Sequence, residues 1–176
     1  MNSTEIDSRL KRIKLVLLDV DGVLTNGHIS YGDYGDELKS YDIHDGLGIE
    51  LLREGGIKTV VLSGRKSRTN ARRAKELKIS LLVQGVSDKL KVFVKILKKY
   101  RLSAEDVCCM GDDLVDIPLL KRAGFAVAVQ NAVPEVKVSA QYVTKREGGR
   151  GAVREIADKI LKSQGRWEAV TARFYS

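Results

Sequence analysis

The sequence predicts an α/β fold in which a parallel β-sheet carries helices on both faces. Short apolar segments rich in branched residues alternate with longer segments whose apolar residues recur at helical spacing. Polar side chains directly follow three of the short segments, as is typical where the carboxyl ends of parallel strands share one sheet edge. At 176 residues, with 43% hydrophobic content and only 2 prolines, the chain suits a single domain over residues 1–176.

The first predicted strand, Leu15–Leu18, is wholly apolar, which indicates a strand buried on both faces. Asp19 and Asp21 follow it, and residues two apart on an extended chain project to the same side. One carboxylate could therefore attack a group that the other protonates. Two neighbouring carboxylates repel each other, so a divalent cation is a natural third member. Asp-x-Asp-Gly, completed here by Gly22, also occurs in calcium loops and ordinary turns.

A β-hairpin insertion is predicted at about residues 26–42, after the first strand. Gly-Asp pairs at 32–33 and 35–36 lie between short segments that carry Ile29, Tyr31, Leu38 and Tyr41. The insertion is too short to be a domain. We expect it to lie beside the acidic end of the first strand.

The alternation of helix and strand then resumes to the end of the chain. Gly55 and Gly56 mark the end of the first helix. In the helix after residue 87 we expect four apolar side chains to face the core: Leu90, Phe93, Val94 and Leu97. The predicted helices are 45–54, 66–77, 87–100, 116–123, 132–138 and 152–163, and the predicted strands are 58–62, 81–84, 107–110, 125–129 and 142–144.

Composition and charge indicate which kinds of molecule the protein binds. The net charge of +8 raises the hypothesis of nucleic-acid binding, but the basic residues are dispersed and aromatic residues are not interleaved with them. A solvated face and attraction for a small anionic substrate are the better interpretation. No apolar run approaches the roughly 20 residues that span a membrane, and residues 1–14 lack the apolar centre of a secretion signal. We therefore expect a cytoplasmic protein without nucleic-acid or membrane partners.

The cysteines and histidines predict neither a disulfide nor a zinc site. Cys108 and Cys109 are adjacent within an apolar run, so their side chains point to opposite faces of a strand. Buried free thiols are the expected state. With His28 and His44 as the only histidines, the ligands for zinc are too few.

Three predicted strand ends bring polar groups to one edge of the sheet. Asp19 and Asp21 follow the first strand, Ser63 follows another, and Asp112 with Asp113 follows a third, while a helix that starts near Ser87 contributes Lys89. Acids that bind a cation, a hydroxyl group and a lysine around one point suit a phosphoryl group. Taken alone, each has a plainer interpretation: a helix cap for Ser63, a surface lysine for Lys89 and a loop turn for the acid pair.

Four segments, DVDGVLT, LSGR, SDKL and GDDLVD, together resemble the motifs of the haloacid dehalogenase superfamily of phosphatases. The hairpin insertion, IHDGLGI, QGVSDKL and REGGRGAVREI more narrowly resemble the 3-deoxy-D-manno-octulosonate 8-phosphate phosphatase family. The resemblance implies a doubly wound, Rossmann-like sheet of the haloacid dehalogenase type, with a small hairpin insertion and no large cap domain.

The resemblance also implies a role for each acid. Asp19 would be the nucleophile that forms an aspartyl phosphate, and Asp21 would protonate the leaving oxygen and later deprotonate water. Ser63 and Lys89 would hold the phosphoryl oxygens. A magnesium ion, Mg2+, would be bound by Asp19, the backbone carbonyl of Asp21 and Asp112. Asp113 would also belong to the metal site, and with Asp116 it would orient the water molecules of the metal or Lys89. The plainer interpretation of Asp116 is a helix N-cap.

The residues that select the sugar are less sharply marked. Arg65, beside Gly64 of the same motif, could pair with a substrate carboxylate or be a helix-surface arginine. Related phosphatases often carry a basic residue just before Asp45, where this chain has His44. Glycines at 148, 149 and 151 surround Arg150, and we expect either a mobile loop that closes over a substrate site or a left-handed turn before the last long helix.

These implications define the expected function. The resemblance implies a magnesium-dependent phosphatase that hydrolyses 3-deoxy-D-manno-octulosonate 8-phosphate in lipopolysaccharide precursor synthesis. It also implies a homotetramer whose hairpins form a central barrel and whose subunits cap one another's sites. The alternatives are a phosphatase for a nine-carbon sialic-acid-type 9-phosphate, a receiver-type signalling domain, and a non-catalytic interaction module.

Overall fold

The computed structural model describes residues 2–175 and contains a six-stranded parallel sheet, as predicted. Its six strands are β1 Leu15–Leu18, β4 Lys58–Leu62, β5 Leu81–Val83, β6 Val107–Gly111, β7 Phe125–Ala128 and β8 Tyr142–Val143, and β2 and β3 form the hairpin described below. The strand order is β5-β4-β1-β6-β7-β8, so the first strand lies in the interior of the sheet. Leu15 of β1 aligns with Lys58 on one side and with Val107 on the other.

Helices cover both faces of this sheet. They are α1 Ser3–Leu10, α2 Ile43–Glu54, α3 Arg68–Glu76, α4 Lys89–Tyr100, α5 Ile117–Leu120, α6 Pro134–Ser139, α7 Ala152–Ser163 and α8 Trp167–Thr171. Parallel crossovers are right-handed, so connections that run towards β5 and those that run towards β8 place their helices on opposite faces. Helix α7 packs against α1 and α2, and α4 packs against α5.

The insertion after β1 is a β-hairpin, as predicted. Strands β2, Ser30–Tyr31, and β3, Glu37–Leu38, pair antiparallel and form a separate two-stranded sheet. Few of its side chains reach the core. Among the described residues, no helix has both the length and the apolar character required to cross a membrane.

Several predicted boundaries and one predicted core position are wrong. Helix α3 begins at Arg68 because the side chain of Ser67 accepts a hydrogen bond as its N-cap. In α4, Val94 is 40% exposed, whereas Ile96 is buried with Phe93. The predicted helix 116–123 is a 3₁₀ turn over Leu114–Asp116 followed by the single turn of α5.

Two terminal helical regions were not predicted from the sequence. Helix α1 is short and polar, and its apolar residues are too few to show a helical period. A capping box between Asn2 and Glu5 marks its start and was the available signal. After α7, α8 and a 3₁₀ turn over Ala172–Phe174 complete the described chain.

Candidate active site

The carboxyl ends of β1, β4 and β6 border a cavity of about 430 Å³. Val86, Leu90, Val115 and Pro118 supply an apolar part of its wall. Eight of the ten predicted site residues line it: Asp19, Asp21, Ser63, Gly64, Arg65, Lys89, Asp112 and Asp113. The parallel sheet brings them together because each strand ends at the same edge.

Lys89 lies at the centre of a buried group of charges, which we call the sheet-edge cluster: Asp19, Lys89, Asp112 and Asp116. Its Nζ atom lies 3.0 Å from Asp19 Oδ2 and 2.7 Å from Asp116 Oδ1. Burial disfavours the charged amine, but the two carboxylates outweigh it and raise the pKa of Lys89 above its ordinary value. The lysine is therefore held as a fixed cation next to the expected nucleophile.

Asp116 fixes the loop that follows β6. Its Oδ2 atom accepts hydrogen bonds from the backbone N–H groups of Asp112, at 3.1 Å, and Asp113, at 3.4 Å. The Oδ1 atom of Asp116 accepts a hydrogen bond from Nζ of Lys89. The structure shows the predicted contact of Asp116 with Lys89. Asp116 also stands at the N-cap position of the short helix Ile117–Leu120, but its side chain makes no capping hydrogen bond there, and Asp113 caps the 3₁₀ turn that precedes this helix.

The donor set fits a divalent cation. Carboxylate oxygens of Asp19, Asp112 and Asp116 lie within 4.8 Å of one another. The Oδ1 atom of Asp112 is buried and has no hydrogen-bond partner, as expected of an oxygen that faces a cation. Only oxygen atoms are offered, which suits a hard ion such as magnesium. Asp113 lies outside this group, and its carboxylate accepts a hydrogen bond from the backbone N–H of Leu114.

The electrostatics of the cluster support the same interpretation. Burial, and then the charge of Asp116, raise the pKa of Asp19 to about 6. Burial, followed by the charges of Asp19 and Asp116, raises the pKa of Asp112 to about 7. Carboxylates that disfavour one another's charge in this way are stabilised by a cation placed between them.

Gly22 allows the cluster to close around the end of β1. Its φ of +93° lies in the left-handed region that favours glycine. A Cβ atom at this position would overlap the carboxylate of Asp112. The glycine of the first motif is thus required both for the turn and for the approach of a predicted metal ligand.

Ser63 and Arg65 form the wall contributed by β4. Ser63 is buried and its Oγ accepts from the backbone N–H of Arg65 at 3.2 Å, so it does not cap α3. The guanidinium of Arg65 donates to the hydroxyl of Tyr31 at 2.9 Å and lies 3.4 Å from Glu37. These partners raise the pKa of Arg65. Arg65 therefore connects the cavity with the hairpin.

Lys39 is a site residue that the sequence did not reveal. Its Nζ atom lies 2.5 Å from Oδ1 of Asp21 and 3.4 Å from Oε1 of Glu37, and its side chain is fully buried. A single lysine in a polar insertion follows no recognisable pattern. Together with the contacts of Arg65 it forms what we call the hairpin network: Asp21, Tyr31, Glu37, Lys39 and Arg65.

His44 and Arg150 do not line the cavity of the same chain. Asp42 caps α2, which turns His44 outward in the first helical turn, with its Nδ1 3.2 Å from Asp42. His44 borders a different surface cleft, together with Arg154. Arg150 is exposed and its Nε lies 3.5 Å from Glu147. Within one subunit, neither residue reaches the phosphoryl site.

The glycine-rich segment is packed against the turn after β1. A Cβ atom at Gly148 would overlap the carbonyl oxygen of Gly22, and the N–H of Gly149 donates to the carbonyl of Val23 at 2.9 Å. Gly151, with φ +97°, precedes α7, so the alternative of a left-handed turn is the one observed.

Buried Asp45 anchors the start of α7 to α2. It accepts from the backbone N–H of Gly151 at 3.2 Å and from that of Arg154 at 2.8 Å. Burial raises its pKa to about 6, although these hydrogen bonds act in the opposite direction. The predicted binding segment is therefore held from two sides, by α2 and by the turn after β1.

Comparison with known proteins agrees with this geometry. A family model for haloacid dehalogenase-like hydrolases matches residues 79–156. The 3-deoxy-D-manno-octulosonate 8-phosphate phosphatase of Escherichia coli (strain K12) is 41% identical over 164 residues, which cover 93% of this chain and 87% of the relative.

Solved structures give the same result. The Moraxella catarrhalis 3-deoxy-D-manno-octulosonate 8-phosphate phosphatase, in complex with magnesium, phosphate and KDO, superposes with a TM-score of 0.96 at 40% identity over 98% of this chain and 99% of that one. The cobalt-bound deoxy-D-mannose-octulosonate 8-phosphate phosphatase from Haemophilus influenzae superposes with a TM-score of 0.89 at 39% identity, over 95% of this chain and 98% of that one. The chain belongs to the 3-deoxy-D-manno-octulosonate 8-phosphate phosphatase family of haloacid dehalogenase-like hydrolases.

Proposed function

We propose that the protein is a magnesium-dependent phosphatase that converts 3-deoxy-D-manno-octulosonate 8-phosphate to the free sugar acid and phosphate. The observation that carries this proposal is the sheet-edge cluster, in which a buried lysine and an oxygen-only donor set surround the expected nucleophile. The identity and coverage of the relatives support the choice of substrate. Family membership argues against the receiver-type alternative.

The chain's own residues account for both half-reactions. A carboxylate oxygen of Asp19 attacks phosphorus, the bond between phosphorus and the sugar oxygen breaks, and that oxygen takes a proton from Asp21. Asp21 then takes a proton from the water that attacks the aspartyl phosphate, which releases phosphate and restores Asp19. Lys89 lies close to Asp19 and offers its charge to the phosphoryl oxygens, while Ser63 lies in the same cavity.

Asp19, Asp112 and the backbone carbonyl of Asp21 are the proposed magnesium ligands. The ion, when bound, neutralises negative charge that develops on the phosphoryl group. The buried, unpartnered oxygen of Asp112 supports this assignment. Asp113 is less suited to bind the ion directly, since its carboxylate already caps a 3₁₀ turn.

Arg65 is the proposed contact for the carboxylate of the sugar acid. It lines the cavity and presents a guanidinium, whose fork matches a carboxylate. Gly64 lies beside it, at the wall. The nine-carbon sialic-acid-type 9-phosphate also carries a carboxylate, so the relative turnover of the two substrates decides between them.

We propose that the protein forms a homotetramer through its hairpin, so that neighbouring subunits cover the cavity. The hairpin and the start of α2 expose four large apolar side chains: Tyr31, Tyr34, Leu38 and Ile43. Such a surface next to unpaired strand edges favours association. In this arrangement, His44 and Arg150 would face a neighbour's site. Sedimentation that shows a fully active monomer would contradict the shared site.

The test of function is a phosphate-release screen over sugar phosphates with the purified protein, with and without magnesium. We expect the highest kcat/KM with 3-deoxy-D-manno-octulosonate 8-phosphate, and loss of turnover when a chelator removes the metal. Preference for the nine-carbon 9-phosphate would overturn the substrate. We place the enzyme in the cytoplasm, in lipopolysaccharide precursor synthesis, and cell fractionation tests that location.

A further inference from the structure

The side chain of Lys39 joins the hairpin to the end of β1. Its Nζ lies 2.5 Å from Oδ1 of Asp21, and Glu37 lies on its other side at 3.4 Å. The whole side chain is buried, although most of the hairpin is exposed. A buried ammonium group is stable only when it is paired, so the two carboxylates fix its position and it fixes theirs.

Asp21 has no other charged partner of this kind among the described contacts. Asp19, two residues earlier, is held by Lys89, whereas the carboxylate of Asp21 is 21% exposed and depends on a residue of the insertion. A carboxylate that is free to rotate would sample positions from which it cannot reach the leaving oxygen. General acid catalysis requires the donor within hydrogen-bond distance of that oxygen, so orientation limits its contribution.

We propose that Lys39 is a positioning residue that binds Oδ1 of Asp21 and so orients the other carboxyl oxygen, which carries the proton, towards the leaving sugar oxygen. The inference rests on the proposed phosphatase function and on the proposed role of Asp21. Glu37 holds Lys39 from the hairpin side and also pairs with Arg65. The hairpin thus supports the acid as well as the wall of the cavity.

The experiment uses two phosphate esters that differ in their need for a proton. The sugar oxygen must be protonated when its bond to phosphorus breaks, whereas 4-nitrophenolate leaves as a stable anion. The parameter kcat/KM reports the steps up to loss of the alcohol, so it isolates the step in which Asp21 is the acid. We compare Lys39→Met with the wild-type protein on the sugar 8-phosphate and on 4-nitrophenyl phosphate.

We expect Lys39→Met to lower kcat/KM about 30-fold with the sugar phosphate and no more than about 3-fold with 4-nitrophenyl phosphate. Lys39→Arg, which keeps the charge, should recover most of the loss. Equal losses on both esters, no loss on either, or an arginine variant no better than methionine would overturn the proposal. A general structural role predicts equal losses on both esters. A role that acts only through Glu37 and Arg65 predicts a rise in KM for the sugar phosphate with kcat unchanged, and that result would also overturn the proposal.

Two further variants control for the loss of a positive charge and for misfolding. Lys11→Met removes one positive charge from an exposed pair on α1, and it should leave both kcat/KM values unchanged. If Lys39→Met does not fold, Glu37→Gln combined with Lys39→Met removes one of the two carboxylates that lose Lys39 as a partner, and the same comparison applies to it. A wild-type protein that releases phosphate from neither ester would refute the proposed function, which is a different outcome from equal losses in the variant.

Discussion

The sheet-edge cluster and the hairpin network meet at the end of β1, but they are built in different ways. The cluster lies on elements of the central sheet and its helices, with Lys89 and Asp116 almost wholly buried. In the network, Tyr31 and Glu37 lie on two strands of two residues each, Lys39 directly follows the second of them, and the side chain of Arg65 is 48% exposed. Both place a lysine between two carboxylates.

The difference separates two tasks. Residues of the cluster are held by β1, β6 and α4, which the core fixes, so they suit the transfer of the phosphoryl group. The network is held by ion pairs between the hairpin and the sheet edge, and the pair formed by Arg65 and Glu37 is partly exposed, so that pair stabilises less and can vary without damage to the core. Substitutions in the cluster should therefore abolish chemistry or stability. In the network, replacement of Lys39 should weaken the action of Asp21, and replacement of Arg65 should change selectivity.

The largest expected effect tests whether the cluster performs the chemistry. Asp19→Asn removes the nucleophile and should lower kcat at least about 10,000-fold, with the circular dichroism spectrum retained. Phosphate release measured at saturating substrate checks this. Asp7→Asn, on remote α1, is the matched control and should retain full activity. Hydrolysis by Asp19→Asn would show that the nucleophile is another residue.

The second prediction compares two substitutions, Asp116→Asn and Glu37→Gln, each of which replaces a carboxylate partner of a lysine by the corresponding amide. Asp116→Asn leaves a single side-chain oxygen as acceptor for three donors, which are Lys89 and the backbone N–H groups of Asp112 and Asp113. It also removes a charge that Lys89 needs, so we expect the free energy of unfolding to fall by about 3 kcal/mol. Glu37→Gln leaves Lys39 paired with Asp21 and should cost less than about 1 kcal/mol. Urea titrations measure both; equal losses would remove the distinction between the two regions.

The glycine-rich segment tests how firmly the turn after β1 is held. Gly148→Ala places a methyl group on the carbonyl of Gly22, and we expect a loss of about 2 kcal/mol in stability together with reduced activity. Gly165→Ala meets open space and should cost only about 1 kcal/mol, from its φ of +63°. Thermal unfolding compares them. A Gly148 variant as stable as wild type would restore the mobile-loop prediction.

The smallest effect concerns selectivity in the network. Arg65→Lys keeps the charge but loses the planar fork, so KM for the sugar acid phosphate should rise about 10-fold while kcat changes less than about threefold. The KM for 4-nitrophenyl phosphate, which has no carboxylate, should stay nearly constant. A similar rise in KM for both esters would mean that Arg65 supports the phosphate site instead of the sugar.

Residues with a strong local pattern were predicted well. Strand β1 and helix α7 have the predicted bounds because one is wholly apolar and the other has apolar residues at regular helical spacing. Val94 and Ile96 were misjudged because the packing of α4 against its neighbours, rather than spacing alone, selects its buried face. The role of Lys39 was not predicted because its partner Asp21 is 18 residues away in the sequence.

The sequence by itself determined the α/β class, the order of the elements and the set of acids, serine and lysine at the sheet edge. These follow from periodicity and from motifs of a few adjacent residues, which local chemistry specifies. Only the tertiary structure decided that Asp116 holds both Lys89 and the loop after β6, and that Lys39 reaches Asp21. It also turned His44 away from the cavity and packed Gly148 on Gly22. Such contacts depend on how distant segments pack, which no local pattern encodes.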